Sequence, residues 1–228
     1  MPRRLRETAG GIVYHVLNRA VGRMTLFEKE ADYLAFEQVL EETWERTEIR
    51  ILSYCVMPNH WHLLLWPREG GELSQVMRWL TVTHTQRWHA HYHTSGTGPV
   101  YQGRFKSFPV ESDGHFLAVA RYVERNALRA NLVKRAQDWR WSSLWRRLER
   151  DKSVSRMLSE WPVPRPSDWT RRVNRPLTDG ELESLRRSVR RGRPYGSDDW
   201  TQRMAKRLRL ESTLRPPGRP RKPRDEDT

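Results

Sequence analysis

Few folds admit the stretch VMPNHWHLLLWP, Val56–Pro67. Upstream of it, EIRILSYCVM is an apolar, β-branched run that stops at Pro58-Asn59. That pair is a turn signal, and HWHLLLW resumes directly after it. Two strand-like runs around so short a break predict an antiparallel hairpin. Within the second run, His60 and His62 are one residue apart. Alternate residues of a strand share a face, so the two imidazoles project together while Trp61 turns the other way, toward a core. Two readings of the pair stand at this point. It is a bidentate platform for a metal ion, or it is two polar residues on the solvated face of a half-buried strand. His–x–His alone does not choose between them.

The segments on either side extend the hairpin into a layer. GIVYHVLNRAV (Gly11–Val21) reads as a first strand. In EADYLAFEQVLEETWERT, Tyr33, Phe36, Leu40 and Trp44 recur at helical spacing. After the hairpin, Leu73, Val76, Met77 and Leu80 mark the apolar face of a second helix. HTSGTGPVYQGRFKSFPVES is a loop leading to a short strand. Ser112-Asp113 are good N-cap residues, and Phe116, Val119, Ala120 and Val123 follow as a helical face. The order is strand, helix, strand, strand, helix, strand, helix. It predicts an α+β protein with a ferredoxin-like antiparallel sheet and packed helices.

This layer accounts for residues 1–148, one domain, with its end expected near Val133 to Leu148. Residues 149–228 differ. Positions 165–228 hold 18 Lys+Arg against 10 Asp+Glu, so most of the formal net charge of +14 lies here. Thr178-Asp179-Gly180-Glu181 fits a capping box and predicts a helix over about 179–191. Ser197 is placed to cap a second helix over about 198–209. The expectation is a small helical basic C-terminal extension ending in a disordered Pro/Arg-rich tail, LRPPGRPRKPRDEDT.

Charge restricts the partners. A pI near 10.6 argues for a polyanion, nucleic acid before acidic membrane. The single cysteine, Cys55, excludes an intrachain disulfide and a Cys-based zinc site. No signal peptide is evident, and no run reaches the ~18–20 apolar residues of a membrane span. A cytoplasmic, nucleoid-associated protein is expected, with no membrane partner.

ARYVERNALRANLV adds two groups of chemical interest. Tyr122 and Asn126 are four apart, so a helix sets them on one face. Tyr122 is an acceptable nucleophile, and Asn126 offers a neutral oxygen. Two imidazoles and an amide oxygen bring no negative charge, so a divalent ion held by them keeps its charge for a phosphate oxygen. Mg²⁺ or Mn²⁺ suits such a site. The plainer readings are a core-edge tyrosine and a surface asparagine.

Several words in order carry a family resemblance: YHVLNRA at 14–20, VMPNHWHLLLWP at 56–67, YQGRFKS at 101–107, YVERNALRANLV at 122–133 and DWRWSSL at 138–144. Together they resemble the REP-associated tyrosine transposases of the single-tyrosine HUH, IS200-like superfamily. The likeness covers about residues 10–148, and GRPYGSDDW and ESTLRPPGRPRK resemble the tail of one group within it. One departure is Asn126-Ala127 where the family has Asn-Pro.

The resemblance implies an HUH endonuclease fold and metal-dependent cleavage and strand transfer of single-stranded, hairpin-forming DNA. Tyr122 is then the catalytic nucleophile, forming a 5′-phosphotyrosine, and His60, His62 and Asn126 are the ligands of Mg²⁺ or Mn²⁺. It also implies a monomer, with a dimer as the alternative. Arg104 and Lys106 are candidates for flanking phosphates, with Gly103 permitting close backbone approach. Arg219, Arg221 and Lys222 are candidate DNA contacts in a segment resembling an AT-hook, against the alternative of a solvated basic tail. The main rival is a catalytically silent hairpin-DNA-binding protein derived from a transposase. A second is a barrel metal hydrolase, disfavoured by length and by the lack of a repeated strand–helix pattern.

The other histidines are weighed against the same chemistry. His89, His91 and His93 finish a helix, where alternate residues diverge and only His89 and His93 face alike. His84 and His115 are expected at helix surfaces or caps. His15 lies on the first strand and can face either side. Most tryptophans are expected in the core, including Trp139, Trp141 and Trp145 packing the C-terminal connection.

Overall fold

The computed structural model describes residues 8–149 and 156–215. Strands β1 (Val13–Arg19), β2 (Arg50–Met57), β3 (His60–Trp66) and β4 (Lys106–Val110) form one antiparallel sheet in the order β2-β3-β1-β4. Pro58 and Asn59 alone separate β2 from β3, and Met57 pairs with His60 across them. The hairpin is therefore as tight as its sequence implies. Helix α1 (Glu30–Thr47) connects β1 to β2, α2 (Glu72–Tyr92) connects β3 to β4, and α3 (Gly114–Glu124) follows β4. This is the ferredoxin-like order, with the first strand central.

The sheet is covered on both faces. On one, Tyr14, Val16, Tyr54, Val56, Trp61 and Leu63 pack against Phe36, Val39 and Leu40 of α1 and against Leu73, Val76 and Leu80 of α2. On the other, Val13, Cys55, Leu64, Phe108 and Val110 pack against Phe116, Val119, Ala120 and Val123 of α3. Removing side chains of this size from water stabilises the fold by about 1.5–3 kcal/mol each, so α3 has a firm seat. Asp113 caps it, its side chain accepting from His115 N–H at 2.8 Å.

The helix expected through Tyr122 and Asn126 is interrupted. It ends at Glu124, and α4 (Asn126–Arg129) begins after Arg125. The break coincides with an external anchor. The Arg125 guanidinium donates to the carbonyls of Val173 (3.0 Å) and Asn174 (2.5 Å).

Helices α5 (Ser143–Leu148), α6 (Trp169–Asn174), α7 (Asp179–Arg191) and α8 (Asp198–Arg207) complete the chain. Thr178 and Glu181 close a capping box on α7. The C-terminal part docks on the α3 face. Arg121 bridges to Glu181 at 2.8 Å. Trp169 Nε1 donates to Glu124 Oε2 at 2.7 Å. Beyond α7, Tyr195 pairs with the outer edge of β4 through Glu111 N–H (3.0 Å) and the Pro109 carbonyl (2.9 Å), and so covers an otherwise open strand edge. Ser197 starts α8 without a side-chain cap bond. Its own N–H donates to Glu111 Oε2 at 2.6 Å.

One expectation is corrected. His84 is buried, not at the helix surface. Its ring packs on Phe27 and Phe36, and its Nδ1 bonds to the Tyr101 hydroxyl at 2.8 Å. A polar partner already inside the core makes burial of an imidazole tolerable. Among the described residues, no helix is long and apolar enough to cross a membrane.

Candidate active site

Strand register assembles the site. Residues paired across a sheet share a face. His62 pairs with Cys55 on one side and Leu17 on the other, and Leu17 pairs with Lys106. His60 pairs with Arg19, and Leu64 with His15. The α3 face of the sheet thus carries a patch of His60, His62, His15 and Arg19. Over it lies Tyr122, its ring centroid 5.8 Å from His62 and 6.2 Å from His15. The His60 and His62 rings are 5.0 Å apart. Tyr122 and His62 are buried, while His60 is partly open.

Each of the paired histidines is oriented through Nδ1. Asn59 Oδ1 lies 2.6 Å from His60 Nδ1, and His15 Nε2 lies 2.8 Å from His62 Nδ1. In both cases Nε2 is the nitrogen left for a ligand, the usual arrangement of a metal-binding histidine with a second partner. Burial also fixes the charge. His60 is lowered to about 4, by burial first and then by the Arg19 and Arg129 cations. His62 is held well below its usual range by burial, then by His15, His60 and the same arginines. His15 falls to about 3 through burial. All three are neutral at pH 7, the state in which imidazole binds a metal.

Asn126 is buried, and its Oδ1 accepts from Arg129 Nη2 at 2.6 Å. Its Nδ2 is buried without a hydrogen-bond partner. An NH2 group only donates, so this nitrogen is no metal ligand; Oδ1, which keeps a second lone pair beside the Arg129 bond, is the atom that could meet an ion. Neutral imidazoles with free Nε2 atoms and a neutral amide fit a divalent ion that must also meet phosphate oxygen.

Sequence reasoning missed two residues. His15 was legible once register is known, because Leu17 opposite His62 brings His15 to its diagonal. Arg129 lies seven residues after Tyr122 and three after Asn126, on the same helical side. Its guanidinium sits 4.7 Å from the Tyr122 ring centroid, with Nη2 3.5 Å from the phenolic oxygen.

The other candidates separate from this centre. His89 Nδ1 bonds to Thr94 Oγ1 at 2.8 Å, and His93 is the left-handed C-cap of α2, so the histidine triplet does not converge. Glu111, Asp113 and His115 lie close enough to share an ion. Their oxygens already serve the N-termini of α8 and α3. Arg104 and Lys106 lie at the β4 end of the patch, exposed. Gly103 has φ +154° and its carbonyl accepts from Asn18 Nδ2 at 3.2 Å. Arg219, Arg221, Lys222 and the AT-hook-like words lie outside the described residues.

Two histidines on an inner strand, facing a tyrosine on a helix packed over a ferredoxin-like sheet, define an HUH endonuclease fold. The chain belongs to the IS200-like transposases: residues 8–126 match the family described as Transposase IS200 like, a span that ends on Asn126. Among solved structures, a REP-associated tyrosine transposase bound to a REP hairpin superposes with a TM-score of 0.54 at 17% identity, over 66% of this chain and 86% of that one. A candidate transposase from Deinococcus radiodurans R1 aligns at a TM-score of 0.36 and 16% identity, over 54% of this chain and 96% of its own. No curated protein has a matching sequence.

Proposed function

We propose that this protein cleaves and rejoins single-stranded DNA at hairpin-forming repetitive extragenic palindromes, through a covalent 5′-phosphotyrosine on Tyr122. The observation that carries the reading is the approach of the Tyr122 ring to His62, beside His60 and with Asn126 one helical turn away. A tyrosine in that place is a nucleophile beside a phosphate-activating centre.

Tyr122 Oη attacks the scissile phosphorus. The bond to the 3′-oxygen breaks, the phenolic proton is lost to solvent, and the departing oxygen takes up a proton to leave a 3′-OH. The ester is exchanged rather than hydrolysed, so a 3′-OH can attack the phosphotyrosine and reseal the strand without ATP. His60, His62 and Asn126 would hold the Mg²⁺ or Mn²⁺, which when bound supplies Lewis-acid polarisation of a phosphate oxygen. Arg129 lies where a cation stabilises negative charge developing on the Tyr122 oxygen, both as it attacks and as it departs during resealing. Arg104 and Lys106 bind flanking phosphates, and the segment carrying Arg219, Arg221 and Lys222 adds salt-sensitive affinity. Residues 1–148 are the catalytic domain and 149–228 a basic extension. The protein acts as a monomer in the cytoplasm, on nucleoid DNA. The REP hairpin bound by the structural relative supports the choice of substrate.

A denaturing gel of labelled hairpin single strands with Mn²⁺ tests the reading. Wild type should give a covalent protein–DNA band that Tyr122→Phe lacks, while the variant still binds the hairpin. Binding without an adduct in either protein would instead mark a catalytically silent hairpin-binding protein.

A further inference from the structure

Helix α7 lies beyond the residues matched by the family, 8–126, yet it touches the same face of the sheet as the histidines. A groove of about 570 Å³ runs beside the site, lined by Arg19, Gln102, Arg104, Lys106, Val189 and Arg190 among others. Among the described residues four cations line it and no carboxylate does, with Glu183 outside the lining paired to one of them, Arg190. Leu17 and Lys106 of its lining continue the sheet row that starts outside the groove at His62. With neighbouring strands about 4.8 Å apart, Lys106 stands about 10 Å from His62 along the sheet. Arg19 Nε is buried there without a hydrogen-bond partner.

The position of α7 is fixed rather than tethered. Leu185 and Ser188 are buried against the body of the protein. Glu181 is bridged to Arg121, and Tyr195 pairs with β4 directly after the helix. At the C-terminal end of α7, Gly192 has φ +72°, and a Cβ there would stand 3.4 Å from the Ser107 carbonyl. The helix end therefore lies against the β4 backbone, and Arg190 two residues earlier faces the groove. One Arg190 Nη2 bonds to Glu183 Oε1 at 2.6 Å. A guanidinium has five N–H donors, so donors remain for a ligand.

We propose that the C-terminal extension is the second wall of the nucleic-acid groove, and that Arg190 binds a backbone phosphate of the single strand whose neighbouring phosphate is presented to Tyr122. This rests on the DNA reading above. Charge complementarity selects the occupant, since a polyanionic backbone is what four cations around one cleft neutralise. Arg190 and Lys106 grip the strand from opposite walls, and the body of α7 narrows the cleft beside the site.

Salt dependence tests this without relying on cleavage. Log affinity for a single strand falls against log salt with a slope of about −0.7 per neutralised phosphate. Binding of a labelled hairpin with a single-stranded flank is measured by anisotropy across a salt series, for wild type, Arg190→Gln and Arg187→Gln. Arg187 is exposed on the same helix outside the groove, so it carries the same charge change without the contact. The expected result is a slope shallower by about 0.7 in Arg190→Gln alone, with all three proteins melting alike. Equal slopes in the two variants, or a wild-type slope in Arg190→Gln, overturn the groove wall while leaving the DNA reading intact. A wild type that binds no single strand at all overturns both.

Discussion

Glu124 is two residues from Tyr122 and wholly buried. It ties helix α3 to three other parts of the chain. Its Oε1 accepts from Ser143 (2.6 Å) and Ser53 (3.2 Å), and its Oε2 from Trp169 Nε1 (2.7 Å). Trp169→Phe removes the indole donor and, among the described residues, leaves Oε2 without a hydrogen-bond partner. A buried group so orphaned costs about 1–3 kcal/mol, and the smaller ring adds about 1 kcal/mol of lost packing. The phenyl ring keeps an edge contact with Trp161, whose centroid is 4.9 Å from that of Trp169. The total of about 2–4 kcal/mol corresponds to roughly 4–16 °C in Tm for a chain of this length. Glu124→Gln should cost less, about 1 kcal/mol, because its carbonyl can face Trp169 while the serine hydroxyls rotate to accept from the amide. Urea melts of both variants and the double variant complete a cycle, with a coupling of at least about 1 kcal/mol expected. A cost below about 0.5 kcal/mol for Trp169→Phe, with additive double-variant behaviour, would refute the idea that this bond anchors α6 to α3.

Three further expectations follow from single groups. Removing the Nδ1 partner of His62 by His15→Phe should weaken Mn²⁺ binding about 10- to 100-fold, whereas His15→Gln, which keeps an acceptor, should retain more of it; calorimetry giving wild-type affinity in both would dismiss the orienting role. Arg129 is exposed, so Arg129→Gln should shift melting by less than about 1 kcal/mol and slow single-turnover adduct formation at least about ten-fold; an unchanged rate removes it from the chemistry. His84 is lowered to about 4, burial outweighing the nearby Asp32 carboxylate. The unfolded chain takes up this proton near pH 6.5 and the native one does not, so the stability it confers is complete above pH 6.5 and lost as pH falls toward 4, about 3 kcal/mol in all. Denaturant midpoints at pH 7 and pH 5 should differ by less in His84→Gln than in wild type, and an equal difference would sink the assignment.

The hairpin was legible because its two strands are bounded by Pro58-Asn59 and because alternation fixes which way Trp61 and the histidines point. The helices α1 and α2 were legible for a related reason: Tyr33, Phe36 and Leu40, or Leu73, Val76 and Leu80, repeat at the helical period. His15 and His84 were not, since the face of one depends on strand register and the burial of the other on a hydroxyl 17 positions away. Neither partner is local. The same holds for the break at Arg125. Nothing between Tyr122 and Asn126 interrupts a helix by propensity, and the anchoring carbonyls come from Val173 and Asn174. Composition identified the last third of the chain as basic. Leu182, Leu185 and Val189 mark an apolar face on α7, but periodicity does not say which surface that face meets, so the docking against β4 was not legible.

The charge around the site leads to a last expectation. His60, His62 and Asn126 are all neutral groups, and among the described residues no carboxylate is a cause of the shifts of the two imidazoles. Arg19 and Arg129 are close enough to depress both imidazoles. Without DNA, a divalent ion entering the cleft meets that positive field. A DNA phosphate brings the missing negative charge and an oxygen ligand together. Ion and strand should therefore bind with positive coupling, and linkage requires the effect to be the same in both directions. A coupling of 1–3 kcal/mol is typical of such pairs, about 5- to 150-fold. Hairpin affinity with and without Mn²⁺, and Mn²⁺ affinity with and without an uncleavable hairpin in the Tyr122→Phe background, should change by one common factor within that range. In His60→Ala, where a ligand is gone, the factor should approach unity. Tight Mn²⁺ binding to the free protein, unmoved by DNA, would mean that the ion is held by groups other than these neutral ones.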